Sequence, residues 1–235
     1  MSERPDLVLV TGPMVGASSW APTAERLRAS GWRVHVPDIL RANGALPPWH
    51  ALSTHYAKLV TLDSPPILVG HSMATVVVAD LARYTAACGL IMVDGEIPPA
   101  RGPVPPGSEL LRAFVRGLAG DDGWLPRWSD WWRGHPRRSF TGIDELTCDA
   151  NALFENDQPR VPAAWFDDAI DLESWTHIPA GYIQTSKFCD HAAAAAEAQG
   201  WPSLRLQGTH LHPTLQPDEM ARSIAVVAGK LIDRD

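Results

Sequence analysis

At 235 residues, 45% of them hydrophobic, the chain can bury one sizeable core, and its net charge of −7 argues against a nucleic-acid or anionic-membrane partner. Its three cysteines, Cys88, Cys148 and Cys189, are far apart and odd in number, which favours free thiols in a reducing compartment over a disulfide framework. Ser2 to Asp6 is polar and the apolar run after it is one strand long, so neither a signal peptide nor a bilayer span is read, and a cytoplasmic location is expected.

Leu7-Val8-Leu9-Val10 predicts a first strand, ending at Thr11-Gly12-Pro13. A helix follows from about Trp20 to Ala29 and stops at Gly31. Arg33 to Val36 alternates polar and apolar residues into Pro37-Asp38, a second strand. Arg41 to Pro48 is turn-rich, and Trp49 to Leu62 suits a helix. Ile67-Leu68-Val69 is a third, buried strand, Thr75 to Tyr84 a helix, and Gly89 to Val93 a fourth strand ending at Asp94-Gly95. This alternation predicts a parallel sheet covered on both faces.

From Glu96 to about Trp175 strand signals cease, prolines cluster and tryptophans become dense. Short helices over Ser108–Leu118 and Gly142–Phe154 fit this stretch, which reads as a helical insert because the alternation then resumes. Tyr182 to Thr185 is a fifth strand, His191 to Gln199 an alanine-rich helix ended by Gly200, and Leu204 to Leu206 a sixth strand. A last helix runs from Pro217 to Leu231, with Asp218 and Glu219 in the first turn where the dipole favours them.

The chemistry concentrates at Gly70-His71-Ser72-Met73-Ala74. A serine between small residues, on a tight turn from buried strand to helix, is the context a G-x-S-x-G nucleophile elbow requires. Strand and helix cross closely there, so the residues two before and two after the serine must be small. Ala74 replaces the usual second glycine. The competing reading of Ser72 is a helix-capping serine.

Together, LVLVTGPMVGASSW, VGHSMA and GTHLHPTLQPDEMA resemble the first strand and oxyanion loop, the nucleophile elbow and the terminal histidine loop of the α/β-hydrolase superfamily. The similarity is to its small, N-terminally short branch of plant-type esterases and hydroxynitrile lyases. That resemblance implies an α/β fold with a mostly parallel sheet of about six strands and helices on both faces. It divides the chain into a core at 1–95 and 176–235 and a Trp-rich helical cap at 96–175.

It also implies His210 as the base, and chemistry agrees, because imidazole activates a serine hydroxyl best near neutral pH. His212, on the same loop, is the alternative, and His71 shapes the pocket. For the acid, the family position implies Asp190, which is also well placed to cap the alanine-rich helix. Asp94 lies at the carboxyl end of the strand after the elbow, where ligand crevices form in open α/β sheets, and is preferred. Glu96 is a third choice.

Met73 N–H is the expected first oxyanion donor. The family's second donor would fall on Pro13, which has no N–H. Met14, a side chain of Thr11, Ser18 or Ser19, or chemistry with one donor remain as solutions. Trp20, Trp128, Trp131 and Trp132 are candidates for an apolar or aromatic substrate pocket. The sequence thus reads as a serine hydrolase of esters or thioesters, or alternatively a lyase or cyclase using the same groups without an acyl-enzyme. The expected partner is a small-molecule substrate. A homodimer is the assembly to consider, and no nucleic acid, membrane, cofactor or metal is expected.

Overall fold

The computed structural model describes residues 4–233. Along the first part of the chain, strands and helices alternate: β1 (Leu7–Val10), α1 (Ala21–Ala29), β2 (Val34–His35), α2 (Ile39–Asn43), α3 (Leu52–Leu59), β3 (Ile67–His71), α4 (Ala74–Thr85) and β4 (Gly89–Val93). Next come β5 (Gly102–Val104), α5 (Glu109–Arg116), α6 (Trp128–Trp131), α7 (Cys148–Asn156) and β6 (Ile170–Leu172). The alternation then returns with β7 (Ala180–Gln184), α8 (Asp190–Ala198), β8 (Ser203–Arg205), α9 (His212–Leu215) and α10 (Pro217–Ile232).

Six strands form one parallel sheet in the order β2-β1-β3-β4-β7-β8. The strands are apolar throughout because both faces are covered. Leu7, Leu9, Ile67, Val69 and Ile91 pack with Leu27 of α1 and Ile224 and Val227 of α10. Val8, Val10, Leu68, Leu90 and Met92 point the other way, into a core shared with Leu52 and Tyr56 of α3 and Val77 and Leu81 of α4. From β1 the chain goes outward to β2, then crosses back to β3 on β1's other side. The loops leaving β1 and β3 therefore diverge, and a crevice opens at the carboxyl ends of these strands.

Residues 96–175 contribute Val115, Trp128, Trp131, Phe154 and Phe166 to the second core. Their structure differs from the strand-free reading in one respect. β5 and β6 pair antiparallel, Gly102 opposite Leu172 and Val104 opposite Ile170, and so close the base of the segment like a clasp. Three-residue strands carry little periodicity, and Pro103 masks the first of them, since proline fits only an edge strand. The helix expected over Gly142–Phe154 is divided into a 3₁₀ turn at Ile143–Glu145 and α7, because Thr147 caps the latter through the Ala150 N–H. No helix among the described residues is long and apolar enough to cross a membrane.

Candidate active site

β3 runs into α4 through Ser72, whose φ is +59°. A non-glycine residue there carries strain of about 1–3 kcal/mol, held only where its surroundings over-determine it. Here the Ser72 N–H donates to the Val93 carbonyl at 2.8 Å and the Ser72 carbonyl accepts from Thr75 N–H at 3.1 Å. A Cβ on Gly70 would stand 2.5 Å from the Ala74 carbonyl oxygen, so the strand–helix crossing admits no side chain. Gly95 imposes the same limit from β4: a methyl group there would overlap the Ser72 carbonyl. The sequence reading recognised Gly70 and overlooked Gly95, whose contact is long-range.

Asp94, just past β4, also has a positive φ, +45°, and its carboxylate is fully buried. Oδ1 accepts from the N–H groups of Thr185 and Ser186 at 2.9 and 2.8 Å, and Oδ2 from the Ser186 hydroxyl at 2.6 Å. Oδ2 also meets His210 Nδ1 at 2.6 Å. Burial alone would push this carboxyl up. Hydrogen bonding and the charge of His210, with the bonds from Ser186 and Thr185, outweigh burial and hold it below the usual carboxylate range.

His210 lies on the loop before α9, fixed by its own N–H to the Phe140 carbonyl at 2.8 Å and by Leu211 N–H to the Thr141 carbonyl at 2.9 Å. With Nδ1 donating to Asp94, Nε2 of the neutral ring is left as an acceptor. His210 and Ser72 line one cavity of about 180 Å³, walled by Trp128, Trp131, Trp132 and Phe188. A second, narrower pocket, sharing Ser72, Met73, Trp128 and His210 with it, is lined also by Pro13 and Met14. A larger hollow of about 480 Å³ lies at the far end of α4, away from Ser72. There Arg83 meets Asp80 at 3.0 Å and Glu173 at 2.7 Å.

The backbone N–H of Met73 and that of Met14 have no intramolecular acceptor among the described residues. Val15 N–H bonds the Gly12 carbonyl at 3.0 Å, so Pro13 and Met14 form the corner of a tight turn facing the elbow. The side-chain alternatives lie elsewhere. Thr11 Oγ1 bonds the Tyr56 hydroxyl, Ser19 Oγ donates to the Gly16 carbonyl, and Ser18 Oγ is buried outside the cavity.

Other sequence candidates are separated from this cluster. Asp190 is exposed in the first turn of α8 and accepts from Gln184 Nε2, while the cap position belongs to Cys189. Trp20 is fully buried, its indole N–H spent on the Val10 carbonyl, and lines no part of the cavity. His212 is buried beside Glu219 at 3.1 Å, outside the cavity. Glu96 reaches the rim but pairs with His191 at 2.7 Å. Sequence reasoning missed Ser186, Phe188 and Arg137, which lie on loops where no periodic pattern marks them. Among the described residues no group of three His, Cys, Asp or Glu side chains is placed to hold a metal ion.

The sequence model of the alpha/beta hydrolase family matches residues 7–223. No curated protein sequence is a match. Among solved structures, the chain is similar to an extracellular alpha/beta-hydrolase from a Paenibacillus species, described as sharing structural and functional homology with tobacco salicylic acid binding protein 2. The TM-score is 0.72 at 18% identity, over 95% of this chain and 98% of that one. A pyrethroid hydrolase from Sphingobium faniae aligns with a TM-score of 0.69 at 19% identity, over 98% and 100% of the two chains. Tomato methylketone synthase I in complex with 2-tridecanone aligns with a TM-score of 0.70 at 12% identity, over 98% and 100%.

Proposed function

The chain belongs to the alpha/beta hydrolase family, and from that premise we propose that it is a serine hydrolase cleaving an ester or thioester of an apolar or aromatic small molecule. One observation carries the reading: Asp94 and His210 meet at 2.6 Å, and His210 shares a single cavity with a serine on a strained corner. Ser72 Oγ attacks the substrate carbonyl carbon while its proton passes to His210 Nε2. Asp94 holds the ring by Nδ1 and stabilises the imidazolium. The tetrahedral oxyanion is received by the N–H groups of Met73 and Met14, in place of the donor that Pro13 lacks. His210 then protonates the departing alcohol or thiol, and a water molecule, activated by the same imidazole, releases the acid.

The cap is the 96–175 segment. Its Trp128, Trp131 and Trp132 give the acyl pocket flat apolar walls. At about 180 Å³ the cavity lies below the ~300–1,000 Å³ of sites for drug-sized ligands, which suits a single ring or short chain. None of Cys88, Cys148 and Cys189 is in a disulfide, in keeping with a cytoplasmic location.

A fluorophosphonate probe tests the reading. Covalent labelling of Ser72, with a burst of alcohol release from short aryl esters, is expected. The proline at position 13 favours a second reading, a lyase or cyclase in which the same groups only move protons. That reading predicts elimination or ring closure with no labelled serine.

A further inference from the structure

Arg137 lines the same cavity as Ser72 and His210. Most of the other arginines in residues 96–175 are used differently. Arg116, Arg127, Arg133, Arg138 and Arg160 each face a carboxylate within 4 Å. No described carboxylate pairs with Arg137, whose guanidinium lies 6.0 Å from the centroid of the Phe188 ring on the cavity wall. Its position is set by the backbone, since the Arg137 N–H donates to His135 Nδ1 at 3.1 Å at the start of the 136–140 turn. That turn's last residue, Phe140, also accepts from the His210 N–H, so the cation and the imidazole are carried on connected backbone.

An independent observation comes from Trp132, on the same cavity. Trp132 is 93% buried, its ring stacked on Phe114 at 5.5 Å, and its indole N–H has no hydrogen-bond partner among the described residues. A buried donor left unpaired is costly, so an acceptor that reaches it contributes more than one in water does. Of the other charges on the cavity wall, Glu96 is occupied by His191 and Asp94 by His210. One unpaired cation and one unpaired donor on a wall whose other charges are paired suit a group with a single negative charge and two acceptor oxygens. A carboxylate fits this, and guanidinium binds it bidentately. A doubly charged phosphate would call for a second cation, and no other arginine or lysine lines the cavity.

We propose that Arg137, with the Trp132 indole N–H, forms a carboxylate subsite, so that the substrates of this enzyme carry a carboxylate besides the carbonyl that is attacked. Monoesters and monothioesters of short or aromatic dicarboxylic acids are the class this describes. The inference rests on the hydrolase reading for the reaction, but not for the binding.

Two measurements keep those apart. The first is equilibrium binding of phenylacetate against phenylacetamide, which requires no turnover. The protein is expected to bind the anion at least about tenfold more tightly, a preference that falls as salt rises. Arg137→Gln should abolish the preference, Arg137→Lys restore part of it, and Trp132→Phe reduce it. The second is the ratio of kcat/KM for 4-nitrophenyl hydrogen glutarate to that for 4-nitrophenyl butyrate. Arg137→Gln should lower this ratio about tenfold or more, and Arg137→Glu lower it further. Equal binding of acid and amide by the unaltered protein, or a ratio unmoved by Arg137→Glu, overturns the subsite. Arg137-dependent binding without labelling of Ser72 overturns the hydrolase reading instead and leaves the subsite standing.

Discussion

His71 and His210 lie with ring centroids 4.5 Å apart, and neither ring nitrogen of His71 makes a hydrogen bond of good geometry within the described residues. Burial first, then the charge of His210, pushes the His71 imidazole down to about 3, with the Asp94 charge and the His210 backbone opposing. His71 is therefore neutral in the folded protein near pH 7 and spares its neighbour a second positive charge.

A consequence for stability follows from linkage. The unfolded chain protonates His71 near 6.5 while the folded protein resists until about 3, so stability is full above 6.5 and is lost as pH falls through that window. Between pH 6.5 and 5 the loss from this residue is about 1.5 kcal/mol. His212, also pushed down by burial, adds in the same direction. Urea unfolding of His71→Gln at the two pH values should show a shallower decline than the parent protein, and an identical decline would refute the assignment.

The two acid candidates separate by substitution. Asp94→Asn should lower kcat by about 10³–10⁴-fold, because the imidazole loses the partner that sets its tautomer. Asp190→Asn, in the first turn of α8 and facing Gln184, should change kcat by less than about twofold. Comparable losses from both would mean that the acid is shared or misassigned.

Backbone crowding at the elbow makes a third prediction. Gly95→Ala pushes a methyl into the Ser72 carbonyl, so it should destabilise the fold by about 1–3 kcal/mol and displace Ser72. Gly229→Ala, in α10 with nothing within 4 Å of the added methyl, should stabilise by about 0.5–1 kcal/mol. Thermal unfolding of the two variants should shift in opposite directions.

If Met14 N–H is the second oxyanion donor, then restoring an N–H at position 13 adds little. Pro13→Ala should keep kcat on short esters within about threefold. A rise approaching the roughly 10²–10³-fold that one donor contributes would show that the native site works with Met73 alone.

Strand positions and their order along the chain were readable because burial on both faces writes an unbroken apolar run, as in Leu7–Val10 and Gly89–Val93. Ser72 was readable because the sharp turn demands Gly70 before it, a local requirement visible within five residues. The β5–β6 clasp was not, since three residues including a proline leave no pattern to detect. Trp20 shows the opposite error. Being next to the loop in sequence suggested the pocket, yet its ring turns inward beneath β1, against His71.

Local chemistry in the chain by itself determined the parallel α/β architecture, the serine on its corner and the loop that carries His210 and His212, because each depends on neighbours a few residues away. Only the tertiary structure set Asp94 against His210 and Asp190 against Gln184, brought Met14 opposite the elbow, and put Arg137 and Trp132 on the wall of the same cavity. Those choices depend on which loops the strand order brings to one edge of the sheet. Asp94 and His210 are 116 positions apart, and no spacing rule spans that distance.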